Sequence, residues 1–503
     1  MRYLFYIGLI LFMPNFIIAQ TLNDVNFLTQ NSLSGSARYT SMAGAFGALG
    51  GDLSAVSDNP AGSSIFLNTE VGGSINFQSK NTNGIYFDTT ESLQKENFYF
   101  DQIGAVFVFN NTDTKSSWSR ISAAINVNRI SNYDQEASIS GNGRNSIAEY
   151  FLYYADGINF EDIQLYDDET IADIYRFLGD EIGFGAQQAF LGYQSYIIDP
   201  LTNNALERTY FSNINSNQYA HYLNIINKGV HRKTSFNFSA LYQNFIHLGF
   251  NINQHRIKYN NKSDFFENEQ DLDSFVYDVN FNNSLITDGD GFSLQFGAIL
   301  KLKDFRFGLS YDSPQWINLK DETQQSISSY RFDEGYAIRE KIVPDITNSF
   351  DPYQLKIPSK TNLSFAYVFK EKGLISIDYN IQNLSNILLS QTGGSSYLDE
   401  VSSEINSVFK PIKTVKIGGE YRLKDISLRA GYFYRTKNQE FVAKNNEAFT
   451  FGIGFDFGAS SLNLSFVQLE QNQSFQLFSN GLIDSYDINK KLTQLTMSFN
   501  FKL

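Results

Sequence analysis

The run Gly35-Ser-Ala-Arg-Tyr-Thr-Ser-Met-Ala-Gly-Ala-Phe-Gly47, with Asp52, Ser54-Ala-Val56 and Asn59-Pro-Ala-Gly62 behind it, decides the fold of this chain. Its small residues let backbone approach backbone, its glycines admit left-handed turns, and Pro60 fixes one corner while removing a hydrogen-bond donor. A segment of this kind packs tightly inside something. Hundreds of residues of alternating strands succeed it, so the combination reads as a hatch, or plug, in the lumen of an all-β transmembrane antiparallel barrel.

Working outward, residues 1–19 carry Arg2, an apolar stretch from Tyr3 to Met13 and a small residue at Ala19, the pattern of a secretory signal peptide. A spanning helix needs about 20 apolar residues, and Pro14-Asn15 interrupts this one. The 503 residues contain no cysteine, 16% aromatics and a mean hydropathy of −0.27. An exported chain without disulfides takes its stability from backbone ladders and buried side chains, as a barrel does. The net charge of −14 argues against nucleic acid as a partner. The expected organisation is a signal peptide at 1–19, a hatch at 20–68 and a barrel at 69–503.

The barrel is read from alternation. In Phe292-Ser-Leu-Gln-Phe-Gly-Ala-Ile-Leu-Lys-Leu302 every even position is apolar and only Ile299 breaks the polar face. Phe305, Phe307, Leu309 and Tyr311 continue the period across a two-residue turn, which makes a hairpin. The same pattern places strands near 69–79, 97–110, 117–131, 222–243, 246–260, 290–302, 304–313, 359–370, 373–384, 411–423, 425–436, 446–457, 460–470 and 490–503. That is about fourteen, an even number as bacterial barrels require. Tight connections at 110–116, 243–245, 303–304, 370–373, 424–425 and 458–460 alternate with long ones, and short turns face the periplasm, which puts both termini there. The last strand ends on Leu503 where an aromatic residue is usual, with Phe501 keeping the pattern.

One long outer connection, near 132–221, has a different texture: Ile147, Tyr150, Phe151 and Tyr154, then Ile171, Ile174, Tyr175 and Leu178, recur at helical spacing. Short helices that pack together over the barrel mouth are expected there. Stretches near 261–289, 314–358 and 385–410, rich in Asp, Asn, Ser and Gln, read as solvated loops.

Arg38, Gly44, Asp52, Asn59, Pro60, Ala61 and Gly62, together with Gly35, Ser36, Ala37, Met42, Ala45, Phe46 and Ala55, make the hatch segment resemble that of the FadL family of outer-membrane transporters for long-chain fatty acids and other hydrophobic compounds, aromatic hydrocarbons included. The resemblance implies a fourteen-stranded barrel and passive transport through apolar sites, with release by hatch movement and a sideways opening in the wall. It also implies that Arg38 and Asn59 hold the plug by hydrogen bonds and that Pro60 keeps its turn rigid. Residues 117–131, the third strand, contain neither Gly nor Pro to announce the distortion that accompanies the sideways opening. The partners expected are a hydrophobic small molecule, outer-membrane lipids and, during biogenesis, the outer-membrane barrel assembly machinery, with the protein a monomer.

Other chemistries leave little trace. No nucleophile and base, and no carboxylate cluster, form a local catalytic signature, so no enzyme, no cofactor and no metal site is expected. Four histidines, His221, His231, His247 and His255, read as exposed and are the only handle for a haem-uptake alternative. A general porin is the other alternative, which a plug opposes. Arg306, Asp378, Glu420, Arg429 and Asp456 fall on the polar phase of their strands and read as paired charges filling the interior.

Overall fold

The computed structural model describes residues 22–503 apart from 114, 270–273, 441 and 443. The signal peptide expected at 1–19 lies outside the described residues. Two short helices, α1 (Leu22–Leu28) and α2 (Ala37–Ser41), and two 3-10 turns, Ser54–Ser57 and Pro60–Ile65, precede the strands. Fourteen antiparallel strands then close on themselves. In order they are β1 (Glu70–Tyr86), β2 (Thr89–Asn110), β3 (Trp118–Asn132, continued by Gln135–Gly143), β4 (Tyr219–Tyr242), β5 (Ile246–Glu269), β6 (Val276–Leu302), β7 (Phe305–Asp312, continued by Gln315–Asp333), β8 (Tyr336–Ile342, Tyr353–Ile357 and Lys360–Val368), β9 (Gly373–Asn383, continued by Leu388–Ser390), β10 (Pro411–Leu423), β11 (Ile426–Arg435), β12 (Asn446–Asp456), β13 (Ser460–Gln476) and β14 (Ser485–Lys502). Pairing of β14 with β1, Leu495 opposite Phe77 and Phe499 opposite Gly73, seals the wall and leaves no free edge at that joint.

The wall changes polarity along its height. In the lower half the outward residues are apolar, as Phe305, Phe307, Leu309 and Tyr311 on β7 and Leu495, Met497, Phe499 and Phe501 on β14, while Asn237, Asn251, Gln295, Thr450 and Gln494 are buried facing inward. In the upper half the order reverses: Ile257, Tyr259 and Phe265 of β5 and Ile317, Leu319 and Ile327 of β7 are buried, and Arg256, Lys258, Lys262, Asn318 and Lys320 are exposed. The chain's two tryptophans mark the limits of the lower band. Trp118 packs with Tyr242 near the short turns (4.9 Å between rings), and Trp316 stacks with Phe292 where the polarity changes (5.2 Å). Aromatic residues favour both membrane interfaces. On β5 the band runs from Ile246, beside Tyr242 at the turn, to Gln254, which opposes Phe292. This matches the roughly 9–11 residues a tilted strand needs to cross a bilayer.

Three expectations are corrected. The stretches near 261–289 and 314–358 are largely strand, since β5 continues to Glu269, β6 begins at Val276 and β7 extends to Asp333. Likewise β1 and β2 meet in a tight turn at Phe87-Asp88 and β7 and β8 at Glu334-Gly335, so the far end of the barrel is not uniformly long-looped. The physical reason is that the backbone ladder outlives the membrane: once outward residues become polar, the apolar alternation that reveals a strand inverts and reads as loop. The stretch near 385–410 ends in a helix rather than an open loop. The alternation near 300 holds, with Ile299, the exception on the polar face, fully buried inward.

The helical spacing in the long connection is real. Helices α3 (Ala148–Ala155), α4 (Ile171–Glu181) and α5 (Phe184–Gln194) bury Tyr150, Phe151, Tyr175, Leu178 and Phe190. With α6 (Ser396–Val408), whose Leu398, Val401 and Ile405 are buried, they pack onto the apolar inner face of the upper strands in one continuous core.

Candidate functional site

While α1 packs into the upper core through Val25, Phe27 and Leu28, the segment from Asn31 to Phe66 behind it fills the lower lumen. Its local folding is set by its caps: Ser36 Oγ accepts from Tyr39 N–H (3.1 Å) at the start of α2, and Asn59 Oδ1 accepts from Ala61 N–H (3.1 Å) with Pro60 in the first position of the last 3-10 turn. Asp52 ties the two parts together, accepting from Ser36 Oγ (2.7 Å) and Ser54 N–H (2.9 Å). Gly44 has φ +70° and a side chain there would strike the Tyr39 ring. Gly62 lies against Gly50, its N–H donating to Asn59 O (2.9 Å), and Ala61 is fully buried.

The wall is built to receive this segment. Gly47 N–H donates to Asp378 Oδ2 (2.9 Å), and Arg306 Nη1 donates to Leu49 O (2.8 Å). Asn59 Nδ2 donates to Gly47 O (2.7 Å) and to Ala298 O of β6 (3.2 Å). Arg38 Nε donates to Glu420 Oε2 (3.0 Å), and its Nη1 donates to Gly51 O (2.9 Å). Glu420 is shared with Arg429 (2.7 Å) and Arg422 (2.7 Å), so one buried carboxylate faces three guanidinium groups. A Cβ on Gly297 or Gly308 would overlap Asn59 and Gly47 respectively, which makes these wall glycines the mould of the hatch. Of the charges expected inside, Asp456 is corrected: it sits at the exposed end of β12 and pairs with Lys502 (3.4 Å).

Sequence reasoning missed a further anchor. Lys416 Nζ donates to Asp58 Oδ2 (2.9 Å), Gly44 O (3.1 Å) and Tyr39 Oη (3.3 Å). Burial pushes the Asp58 carboxyl up, but the ammonium groups of Lys416 and Lys360 and the Tyr39 hydroxyl outweigh it and hold the group below its ordinary value. Burial and the Asp58 charge push the Tyr39 hydroxyl well up. The available signal was the placement of Lys416 on the lumen phase of its strand, four residues from Glu420.

Two cavities are stacked in the lumen. The upper, about 200 Å³, has a mixed lining: Phe27, Leu223, Ile225, Tyr259, Phe265, Leu285, Phe478 and Tyr486 share it with Asp24, the hydroxyls of Ser263, Ser284, Thr323 and Ser479, and amides such as Gln135, Asn227, Asn261, Asn283 and Gln325, and Tyr150 of α3 and Tyr397 of α6 meet it from the cap. The lower, about 130 Å³, is lined by Lys233, Lys360, Lys416, Arg435 and Arg129 with Asp58 and Asp312. Lys360 pairs with Asp312 (2.9 Å) and Lys416 with Asp58. Lys233 instead donates to Ser57 O (3.2 Å) and Arg435 to Asn31 O (3.0 Å), so cations outnumber carboxylates around this space. Hatch residues Asp24 and Phe27 border the upper cavity and Asn31 to Ser34 the lower, so this stretch divides them.

The wall also contains a seam, on which the third-strand sequence is silent. The ladder between β2 and β3 ends at Gln102 opposite Asn128, with register shifts at Asp101 on β2 and beside Ile130 on β3. Above it side chains replace backbone: Arg129 to Asp101, Tyr99 Oη to Asp134 Oδ2 (3.0 Å), Lys95 to Glu136 and Ser140 Oγ to Glu91 Oε1 (2.8 Å). The hatch covers the freed edge from within, Ser32 N–H donating to Ile130 O (2.9 Å).

The histidines are corrected as well: all four are buried on the inward phase. His231 and His255 hydrogen-bond to each other across neighbouring strands (2.9 Å) and His255 to Ser293 (2.9 Å); His247 meets Ser64 of the hatch (2.8 Å). His221 bridges Tyr86 (2.9 Å) and Glu267 (3.1 Å). Each ring has a structural partner, which removes the basis for an exposed haem ligand.

A family model described as BamG matches residues 240–501. Among solved structures, a FadL homologue of Pseudomonas aeruginosa has a TM-score of 0.53 at 10% identity, covering 94% of this chain and 99% of its own. The Pseudomonas putida toluene transporter TodX has a TM-score of 0.50 at 12% identity, covering 94% and 99%. The monoaromatic hydrocarbon channel CymD has a TM-score of 0.50 at 9% identity, covering 94% and 98%. At these identities the likeness is one of fold, a FadL-type plugged barrel. No curated protein matches the sequence.

Proposed function

The chain belongs to the BamG family, and on that premise we propose that it is a passive outer-membrane transporter, not an enzyme, for long-chain fatty acids or other hydrophobic small molecules. The observation that carries this reading is the stacking of an aromatic-lined cavity over a cation-rich one with a hatch segment between them. The upper space suits an apolar body, whose burial contributes roughly 0.8 kcal/mol per methylene. The lower space suits an anionic head group, because Lys233 and Arg435 face it and are ion-paired to no carboxylate among the described residues. Arg38, Gly44, Asp52, Asn59, Pro60, Ala61 and Gly62 then serve as the joints of a movable plug, and the side-chain seam between β2 and β3 is the place where the wall gives sideways.

The same reading covers organisation: a signal peptide at 1–19, a hatch at 20–68, a barrel at 69–503 with the connection near 132–221 outside the cell, both termini periplasmic, and a monomer inserted by the barrel assembly machinery. Uptake of labelled palmitate and of uncharged hexadecane by cells carrying the protein tests it. Both should enter, and Leu223→Asp should abolish uptake of both. Lys233→Ala should reduce palmitate alone. Equal uptake by cells without the protein, or free conductance of small ions through the wild-type barrel, would refute it.

A further inference from the structure

The outer face of the lower wall is a belt of mostly large side chains, and it is interrupted by a notch. Along the register around the barrel at one height, the outward residues are Tyr367, Ile375, Gly419, Ala430, Phe451 and Phe466. Gly419 and Ala430 oppose each other on adjacent strands, so two large side chains are missing side by side. A Cβ added to Gly419 would find only Leu374 O, at 3.7 Å, which leaves the space outside it open. The hollow measures about 630 Å³ and is walled by Phe369, Ile375, Tyr421 and Leu428, all outward and exposed.

The notch lies beside the short turns, and its lower margin is basic. Lys372, in the turn between β8 and β9, lines it directly. Lys370 shares that turn and Lys424 stands at the neighbouring one, against Glu371 and Asp425. An apolar trough in the belt that touches acyl chains, ending at cations at the level of head groups, has the shape and charge of one ligand class. We infer that this notch is a binding site for a glycerophospholipid of the leaflet at the short-turn end, one acyl chain lying over Gly419 and Ala430 and the phosphate meeting Lys372 and Lys424. This site is on the outside of the wall and is separate from the lumen proposed for transport.

Native mass spectrometry of the mature chain, released from nanodiscs of phosphatidylethanolamine and phosphatidylglycerol, tests it. The wild type should retain one phospholipid. Ala430→Leu, which fills the trough with an apolar side chain, should lower that occupancy at least fivefold, and Lys372→Ala about threefold, with palmitate uptake and heat-modifiability unchanged. A photoactivatable phosphatidylethanolamine carrying its reactive group on the acyl chain should label Tyr421 and Leu428 above Leu309 and Leu363 elsewhere on the belt. Unchanged lipid occupancy in both folded variants, or labelling spread evenly around the belt, would overturn the site.

Discussion

The upper and lower halves of this barrel use one backbone ladder in two solvents, and the prevailing residue preference inverts between them. Above the level of Trp316, Ile257, Leu319 and Phe281 point inward and lysines point outward, as in a water-soluble barrel closed over an apolar core. Below it Leu309 and Phe499 face lipid, and the interior is held by amides, hydroxyls and ion pairs. The difference teaches where each half's stability and function reside. The upper core is a hydrophobic lid that also supplies the aromatic side of the upper cavity. The lower lumen is a polar mould whose specificity for the hatch comes from directed bonds such as Gly47 to Asp378 and Arg38 to Glu420.

The largest effect that separates the halves should come from Phe281→Asp, which places a carboxylate in the fully buried upper core. A loss of about 4–5 kcal/mol is expected, read as a lower temperature of mobility shift in heat-modifiability assays. Phe307→Arg faces lipid in the lower band and should cost about 3 kcal/mol by the same assay. If both substitutions were tolerated, the assignment of the two solvents would fail. Glu420→Gln leaves Arg38 and Arg429 facing a neutral amide. Its cost of about 2 kcal/mol should fall on the hatch, so that planar-bilayer recordings show opening events rare in the wild type while the barrel stays folded.

Acid should loosen the hatch as well. Because Asp58 is held below its ordinary value, its contribution is complete above the usual carboxylate range and is lost as the pH falls through the depressed folded value. Opening events should therefore rise below about pH 4, and Asp58→Asn should remove that rise by opening the hatch at neutral pH. The smallest effect belongs to Lys262→Ala, outward and exposed above the membrane; a change within about 0.5 kcal/mol is expected, and a larger one would place that surface against lipid.

The sequence disclosed the lower half more fully than the upper. Phe292 to Leu302 and its successors alternate because lipid selects one face and the lumen the other, and the hatch announces itself through Asn59-Pro60-Ala61-Gly62 and its small neighbours. The strand extensions at 261–269 and 315–333 are hidden because outward lysines and asparagines mask the apolar inner face, and the histidines look exposed by residue type although their strand phase buries them. Lys416 and Asp58 are hundreds of residues apart, and only the closed barrel brings them together. The seam at Gln102 and Asn128 depends on register shifts at Asp101 and Ile130 that no glycine or proline marks.

The most direct test of lipophile transport through the lumen is to let a fatty acid carrying a diazirine at mid-chain equilibrate with the purified protein, irradiate it and map the labelled peptides. Saturable labelling of Tyr259, Phe265 and Tyr486, around the upper cavity, that unlabelled palmitate displaces is the expected result. Labelling that cannot be displaced and is confined to the lipid-facing Phe307, Leu309 and Phe499 would contradict it, because the ligand would then have met the barrel only as it meets any apolar surface.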